Sequence, residues 1–256
     1  MTPFYFGSCE RRLFGIYEPS QAQSRPSRAA LLCHAWGGEH LVSYRAMRFV
    51  AGRLAASGFH VLRFDYFGAG DSGGEATDAT LSGWRRDIVT AMDELLEMSQ
   101  AQSAALVGLR LGATLAAQTA PGLPSAVRQI VLWDPIGSGP DYFAELSKRS
   151  GRLTRPGRAA VPESIGTLDG LLVSPVFRSE LQALDLTALP ISENQSRLIV
   201  ETRNGVSRAT PLSRAGATSA KTTVVESDSA PVWIDDGERE GALPVEVVSL
   251  IVDWLQ

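Results

Sequence analysis

The stretch that most constrains the fold runs from Val107 to Ala113 and has the sequence Val-Gly-Leu-Arg-Leu-Gly-Ala. It follows the apolar run from Ala104 to Val107 and opens a helical run from Leu111 to Ala120. Two glycines around such a junction let a strand and a helix approach closely through a sharp turn. The turn lifts its middle side chain to the top of the sheet, where many enzymes place a nucleophile. Here the middle residue is Arg110.

The length and composition favour one domain with a sizeable core. The chain has 256 residues, of which 44% are hydrophobic and 20% are charged, and α/β folds of this length are often undivided. We therefore expect a single domain over residues 1–256. A net charge of −4 does not favour a nucleic-acid partner or a polybasic membrane anchor. Two cysteines, Cys9 and Cys33, are too few for a disulfide scaffold.

The N-terminal segment bears on the location of the protein. Residues 1–7 have neither the basic region nor the apolar region of a signal peptide. Elsewhere no apolar stretch reaches the ~20 residues that span a bilayer. We therefore expect a cytoplasmic protein without a membrane span, and no cofactor.

Hydrophobic periodicity predicts strands that alternate with helices after an N-terminal hairpin. This rhythm implies right-handed crossovers and a mostly parallel central sheet flanked by helices. Ser43 is the predicted N-cap of the first helix, and Gly58 follows its C-terminus. The predicted strands are Phe4–Gly7, Arg12–Tyr17, Ala29–His34, Phe59–Phe64, Ala104–Val107, Gln129–Trp133, Leu198–Val200 and Thr222–Val225. The predicted helices are Ser43–Ser57, Leu81–Met98, Leu111–Ala120 and Val245–Leu255.

The segment from Gly137 to Pro190 interrupts this rhythm and is predicted to be a lid insertion. It contains a cluster of arginines, and such a cluster is more often a solvated face than a binding site. We therefore favour the solvated face for the cluster. Its members are Arg149, Arg152, Arg155 and Arg158.

Five stretches, each placed correctly relative to its predicted strand, match the pattern of α/β-hydrolases. The ordered set covers nearly the whole chain, so it predicts the α/β-hydrolase fold more specifically than any one stretch does. The stretches are the loop His34–Gly38, the turn Asp65–Ser72, the elbow Gly108–Gly112, the strand end Asp134-Pro135 and the C-terminal strand, loop and helix.

Three of these stretches resemble the exosortase A system-associated hydrolases of bacteria, a branch of α/β-hydrolases encoded near exopolysaccharide and protein-sorting genes. They are Cys33–Glu39, Gly58–Ser72 and Gly108–Ala113. The resemblance implies the fold and a hydrolase label. It implies no substrate, since function depends on the site and not on the fold.

A serine hydrolase of this fold needs Ser, Asp or Glu, and His in that order along the chain. Arg110 stands at the Ser position, and a guanidinium stays protonated and is no nucleophile at neutral pH. After the strand Leu198–Val200 the first acid is Glu201, which would have to substitute for Asp. All three histidines precede the elbow. The sequence therefore predicts a degenerate triad.

Two roles for Arg110 remain open and can coexist. In one, the guanidinium at a helix N-terminus binds a carboxylate or phosphate. In the other it pairs internally with Asp134, Glu39 or an acid of the last loop, because a buried charge needs a partner. The predicted ligand-binding residues around the elbow are Arg110, Leu109, Leu111, His34, Trp36 and Gly37. Trp36 could equally be part of the core.

The remaining polar candidates have weaker support. We expect His34 to orient its loop, with a role as general base as the alternative, and His60 to be structural. His34 and His40 have neither helical pair spacing nor a carboxylate-rich partner motif, so no metal is expected. Residues 70–74 spell Gly-Asp-Ser-Gly-Gly, as in trypsin-like proteases, yet they follow a parallel strand, so Ser72 is predicted to shape a turn.

Three functional hypotheses follow. The first is a non-hydrolytic protein that binds an anionic or acyl-bearing small molecule, or a protein partner, over Arg110. The second is an enzyme of a biosynthetic or exopolysaccharide-associated pathway, with hydrolase, acyl-transfer, lyase or cyclase chemistry. There Arg110 would stabilise charge, and His34, His40 or Asp134 would transfer protons. The third is a serine hydrolase with a relocated nucleophile.

Overall fold

The computed structural model describes residues 1–22, 27–153, 166–186, 194–202, 221–234 and 243–256, with the backbone alone for residues 150–153. Arg155 and Arg158 of the predicted basic cluster lie outside these residues, and the side chain of Arg152 is not described. Parts of the predicted insertion and of the loop before the last helix also lie outside them.

The described elements are arranged as strands and helices in alternation after an initial hairpin. The strands are β1 (Thr2–Gly7), β2 (Arg12–Glu18), β3 (Arg28–Cys33), β4 (Phe59–Phe64), β5 (Ser103–Leu109), β6 (Val127–Trp133), β7 (Gly166–Leu168), β8 (Leu171–Val173), β9 (Ser196–Thr202) and β10 (Thr222–Ser227). The helices are α1 (Gly38–Ala56), α2 (Leu81–Ser99), α3 (Leu111–Thr119), α4 (Gly139–Leu153), α5 (Pro175–Gln182) and α6 (Val245–Leu255).

The central sheet has eight strands in the order β1-β2-β4-β3-β5-β6-β9-β10. The β1–β2 hairpin is antiparallel and joins β4 in antiparallel fashion, whereas β4, β3, β5, β6, β9 and β10 pair in parallel. This topology is that of the α/β-hydrolase fold, and it confirms the predicted mostly parallel sheet flanked by helices.

The sheet separates two hydrophobic cores, as expected for parallel strands that are covered on both faces. One core includes residues of α2 and α3 and the stacked ring pair of Tyr66 and Trp84. The other includes residues of α1 and α6 together with Trp133 and Trp233. Alternate residues of a strand point to opposite faces. In β5, Leu106 accordingly lies in the first core and Val107 in the second.

The start of α1 differs from the prediction in a way that matters for the site. The helix begins at Gly38, after the N-cap Gly37 with φ 66°, and not at Ser43. Ser43 lies inside the helix, where its hydroxyl donates to the carbonyl oxygen of Glu39 at 2.6 Å. The predicted N-cap was wrong. Ser43 is a residue type that often caps helices, but the start of α1 is fixed by a hydrogen bond to a turn far along the chain. There the Gly38 amide donates to the Asp169 carboxylate at 2.8 Å.

The segment from 137 to 190 supplies α4, the β7–β8 hairpin and α5 among its described residues. Phe177 of α5 packs against Trp36 and Trp84. The carboxylate of Glu180 accepts hydrogen bonds from the first amides of α2, at 2.6 and 3.2 Å. This segment is therefore joined to the core at several points, and a role as a lid stays a prediction.

The carboxyl ends of the central parallel strands meet at one edge of the sheet. Four polar residues directly follow β3, β4, β5 and β6 at this edge: His34, Asp65, Arg110 and Asp134. Ligands of open α/β sheets bind beyond this edge. No helix within the described residues combines the length and apolarity that a membrane crossing requires.

Candidate functional site

Arg110 occupies a sharp turn between β5 and α3, with φ 53° and ψ −122°. A positive φ is strained for a residue with a side chain and recurs at functional sites. The flanking glycines permit the turn. A Cβ on Gly112 would lie 2.3 Å from the carbonyl oxygens of Cys33 and His34, and a Cβ on Gly108 would lie 2.4 Å from the Cα of residue 113. The strand–turn–helix frame predicted from the glycine spacing is present.

The Arg110 side chain is buried, with 3% of the residue exposed, and it is ion-paired. Its Nε and Nη2 donate to Glu39 Oε1 at 3.2 and 2.9 Å. Nη2 also faces the Glu145 carboxylate at 3.3 and 3.5 Å. The guanidinium stacks on the indole of Trp233, 3.6 Å from the ring centroid. Burial acts to lower the pKa of Arg110, but Glu39, Tyr142 and Glu145 together outweigh this effect and the net pKa is raised.

Glu39 is the centre of the polar network around the elbow. It lies in the first turn of α1, where the helix dipole favours a negative charge, and it is fully buried. Its carboxylate accepts from Arg110, from the Tyr142 hydroxyl at 3.0 Å and from Arg149 Nη2 at 2.9 Å. Two guanidiniums and one hydroxyl thus compensate one buried carboxylate, as a buried charge requires.

The hydrogen-bond donors of Asp134 are different from those of Glu39. It has φ 45° and accepts hydrogen bonds from the Thr202 amide at 2.8 Å, the Thr202 hydroxyl at 2.7 Å and Trp233 Nε1 at 2.9 Å. Burial, opposed by these donors, raises its pKa. The Trp233 ring joins the two groups, since its N–H binds Asp134 while its face contacts Arg110. Among the partners predicted for Arg110, the structure pairs Glu39 with it directly.

Helix α4 places three polar side chains over the elbow at helical spacing. Tyr142, Glu145 and Arg149 all contact Arg110 or Glu39. Arg149 was predicted to belong to a solvated face, and that interpretation is wrong for this residue. It is only partly exposed, because Glu39 and Asp169 draw its guanidinium inward, at 2.9 and 3.7 Å.

Four of the predicted ligand-binding residues serve packing or backbone geometry. Leu109 and Leu111 are buried in the two opposite cores. Trp36 is 6% exposed and packs among aromatic rings. Gly37 caps α1 with a positive φ. Whether any of them touches a ligand stays a prediction.

His34 lies in a second polar cluster with His40 and Asp65. The two imidazole centroids are 4.0 Å apart, and His34 Nε2 lies 3.7 Å from Asp65 Oδ1. Burial lowers the pKa of His34 to about 4. The neighbouring His34, followed by burial, lowers the pKa of His40 to about 3. Both rings are therefore neutral at pH 7.

Two further sequence expectations concern polar groups outside these clusters. The Ser72 hydroxyl accepts from the Phe14 amide at 2.8 Å and donates to the Asp65 carbonyl at 2.6 Å. Both of its hydrogen-bonding roles therefore support the turn. His60 hydrogen-bonds the Tyr17 hydroxyl and stacks on that ring, which agrees with a structural role.

Sequence reasoning missed the juxtaposition of His34, His40 and Asp65. The prediction of no metal site was based on the spacing of His34 and His40 along the chain, where no carboxylate-rich motif accompanies them. The β3–α1–β4 crossover supplies that partner, since Asp65 follows the strand that pairs with β3. The signal that could have found it is the order of strand ends, because neighbouring parallel strands bring the residues after them together.

A family model described as serine aminopeptidase, S33, matches residues 20–184. This range is more than half of the chain and includes His34, Arg110 and Asp134. The chain therefore belongs to this family of α/β-hydrolase proteins.

Individual relatives agree with this assignment. The human mitochondrial palmitoyl-protein thioesterase ABHD10 is 35% identical over 74 residues, which are 29% of this chain and 23% of that protein. The alignment thus spans about a quarter of each protein.

Solved structures extend the likeness to nearly the whole chain. Est1E from Butyrivibrio proteoclasticus with bound ferulic acid has a TM-score of 0.73 at 15% identity, covering 98% of this chain and 97% of that one. The bottromycin epimerase BotH, in complex with bottromycin A2, has a TM-score of 0.62 at 17% identity, with both chains covered completely. At such identities the likeness concerns the fold alone.

Proposed function

We propose that this chain is a non-hydrolytic member of its family, in which Arg110 replaces the nucleophilic serine and binds an anionic or acyl-bearing small molecule. The observation that supports this most is the guanidinium of Arg110 in the strained elbow, bound to Glu39. A guanidinium stays protonated, so it offers charge and hydrogen bonds but no nucleophile.

The positions of the three histidines point in the same direction. The chain has three histidines. His34 and His40 lie together with Asp65, while His60 is bonded to Tyr17. A hydrolase triad needs an imidazole in hydrogen-bond reach of the nucleophile, and none of the three is bonded to the Arg110 side chain.

The partners of Arg110 differ in how easily they can be exchanged. Glu39 is fully buried and makes short contacts, at 2.9 Å to Arg110 and to Arg149. Glu145 is 35% exposed at its side chain, and its contacts with Arg110 are 3.3 Å or longer. Water competes with a long, partly exposed contact of this kind, so it adds little stability. We infer that an incoming anion replaces Glu145 and leaves Glu39 in place.

Charge balance supports this exchange. Arg110 and Arg149 face three carboxylates, those of Glu39, Glu145 and Asp169. When Glu145 turns away, one negative charge leaves the two guanidiniums, and a carboxylate or phosphate can take its place. Guanidiniums suit such groups because they bind them in bidentate fashion.

An acyl-bearing ligand is proposed by likeness to the relatives. The human relative is named as a palmitoyl-protein thioesterase, and Est1E was solved with ferulic acid, a carboxylic acid. The epimerase among the structural neighbours illustrates that chemistry other than ester hydrolysis occurs on this fold, so the fold alone does not decide the reaction.

The alternative of an enzyme that transfers protons through His34, His40 or Asp134 has less support. These groups divide between two clusters, with the histidines beside Asp65 and Asp134 bonded to Thr202 and Trp233. This alternative needs Arg110 and the proton-transferring group to act on one substrate, yet the hydrogen bonds of the Arg110 side chain to described residues go to Glu39 and Glu145.

A thermal-shift screen tests the proposed binding. The probes are inorganic phosphate, octanoate and octanoyl-coenzyme A, and the proteins are native, Glu145→Gln and Arg149→Ala. Glu97→Gln, the same substitution at an exposed position, is the matched control. A ligand at 100 times its Kd adds about 2.7 kcal/mol, or roughly 5–10 °C for a chain of this size.

We expect a shift in the native protein and in Glu97→Gln, a larger shift in Glu145→Gln and a smaller one in Arg149→Ala. No shift with any probe, or equal shifts in all four proteins, would contradict anion binding at the elbow. A fluorophosphonate probe tests the non-hydrolytic part, and covalent labelling of a serine in the native protein would refute it.

A further inference from the structure

The second polar cluster lies at the carboxyl edge of the sheet, beside a cavity of about 410 Å³. His34 follows β3, His40 lies in the first turn of α1 and Asp65 follows β4. Because β3 and β4 are parallel neighbours joined through α1, the crossover itself brings these three residues together. This cluster does not use Arg110, so it is independent of the proposed function.

The donor atoms of the cluster are close enough to share one ion. One ligand atom from each of His34, His40 and Asp65 lies within 4.8 Å of the other two. His34 Nε2 and Asp65 Oδ1 are 3.7 Å apart. Ligand atoms of a tetrahedral zinc site are about 3.4 Å apart, given bonds of about 2.0–2.2 Å. Small side-chain rotations therefore bring the set to coordination distance.

The hydrogen bonds around His34 fix which nitrogen is available. Its Nδ1 lies 2.6 Å from the Ala35 carbonyl oxygen, which only accepts, so Nδ1 carries the proton. The lone pair is then on Nε2, which faces Asp65. Metal-binding histidines are typically oriented in this way, with the other ring N–H donated to a carbonyl or carboxylate.

Buried nitrogens of the cluster lack partners. His34 Nε2 and His40 Nδ1 are both inaccessible to solvent and make no hydrogen bond of good geometry with any described residue, although the Phe64 backbone also approaches His34. A buried polar atom without a partner is costly, so two such nitrogens in one cluster indicate that a ligand can bind between them. Asp65 is available on one side, because Oδ2 accepts from the Asp71 amide at 2.9 Å while Oδ1 faces His34.

The cavity leaves room for a further ligand. Phe14, Ile16, Leu41 and Tyr44 form apolar parts of its wall. Arg63 also lines it, and its positive charge is offset by Glu18 at 3.4 Å. Catalytic zinc sites keep three protein ligands and one open position, whereas structural sites use four.

We propose that His34, His40 and Asp65 form a binding site for a divalent transition metal of the zinc class, with an open coordination position toward the cavity. Two imidazoles and one carboxylate match the ligand preferences of Zn²⁺ and of its first-row neighbours. A single ordered water that bridges the two imidazoles is the competing explanation.

Metal binding by the whole chain tests this site. The protein is prepared without an affinity tag and with Cys9→Ser, since Cys9 is an exposed thiol that could bind metal itself. It is treated with a chelator and dialysed, and then titrated with Zn²⁺ or Co²⁺. Mass spectrometry of the metal gives the stoichiometry, and the visible absorption of Co²⁺ reports the coordination.

We expect about one equivalent of Zn²⁺ per chain and an intense visible band with Co²⁺. His40→Ala and Asp65→Asn should each weaken binding by about 100-fold or more, since the first removes a ligand and the second replaces a charged ligand by a neutral one, and loss of an outer partner alone already costs roughly 10–100-fold. His60→Ala is the matched control, because His60 is the remaining histidine and lies outside the cluster. Circular dichroism checks that each variant is folded.

Two results would overturn the proposal. One is the absence of stoichiometric metal in the native protein, which would favour a bridging water. The other is equal binding in His40→Ala, Asp65→Asn and His60→Ala, which would place any bound metal elsewhere. If one ligand variant does not fold, the other still decides the question.

Discussion

Replacing Arg110 by Ala should destabilise the protein strongly, because it leaves the Glu39 carboxylate buried with less compensation. Breaking a buried ion pair by removing one partner costs about 3–5 kcal/mol. Arg149 and Tyr142 still contact Glu39 after the change, so we expect the lower end of this range. A loss of about 3 kcal/mol corresponds to a fall of roughly 6–12 °C in the melting temperature.

The elbow conformation adds a second, smaller effect. Ala keeps the strain of φ 53°, whereas Gly adopts positive φ readily. Arg110→Gly should therefore be more stable than Arg110→Ala by about 1 kcal/mol. If Gly were the less stable variant, the backbone strain assigned to this turn would be wrong.

Urea unfolding followed by the fluorescence of the five tryptophans measures these differences. A double-mutant cycle with Glu39→Gln isolates the pair, and its coupling energy should be about 2 kcal/mol or more. Arg128→Ala, at an exposed arginine, is the control and should stay within about 0.5 kcal/mol of native. A loss below about 1 kcal/mol for Arg110→Ala, or additive single effects, would refute the buried pair.

Further predictions concern the packing of the elbow, the buried thiol and the Asp134 cluster. Gly112→Ala should prevent stable folding, because its Cβ would meet two carbonyl oxygens at 2.3 Å, and a native-like unfolding midpoint would contradict this. In thiol titration of the native protein, exposed Cys9 should react and Cys33 only after unfolding; prompt reaction of both would contradict its burial. Burial raises the pKa of Cys33 to about 12 from its ordinary 9.0, so this contribution to stability is complete below pH 9 and is lost as the pH rises toward 12. Asp134→Ala should cost about 3 kcal/mol in urea unfolding, since it leaves three buried donors unpaired, and a loss near zero would argue against that cluster.

The frame of the site could be predicted because it depends on local rules. Two glycines around a strand–helix junction, and polar residues at successive strand ends, define the elbow and its edge of the sheet. The same rules gave the strand alternation, which the eight-stranded sheet confirms.

The sequence suggested several acids as partners of Arg110 but could not show which of them forms the ion pair. Glu39 was one of several acids considered, and it faces the elbow because α1 begins at Gly38. That start depends on Asp169, far along the chain, whose carboxylate accepts from the Gly38 amide. Local sequence preferences carry no information about a contact between residues so far apart in the chain.

The cluster of His34, His40 and Asp65 was missed for a related reason. Its members belong to separate strand ends and a helix turn, and no spacing motif joins them. The cytoplasmic location expected from the N-terminal segment stays a prediction, as do the bacterial origin and the biosynthetic setting that the resemblance implies.

Incubation of the native protein with octanoyl-coenzyme A tests the central claim most directly. Bound ligand is followed by thermal shift, and free coenzyme A is followed by chromatography in the same samples. The account predicts a shift that increases in Glu145→Gln and no release of coenzyme A above the rate without protein. Release in proportion to the native protein, lost in a folded Arg110 variant, would show that the elbow is catalytic and would contradict the proposed non-hydrolytic role.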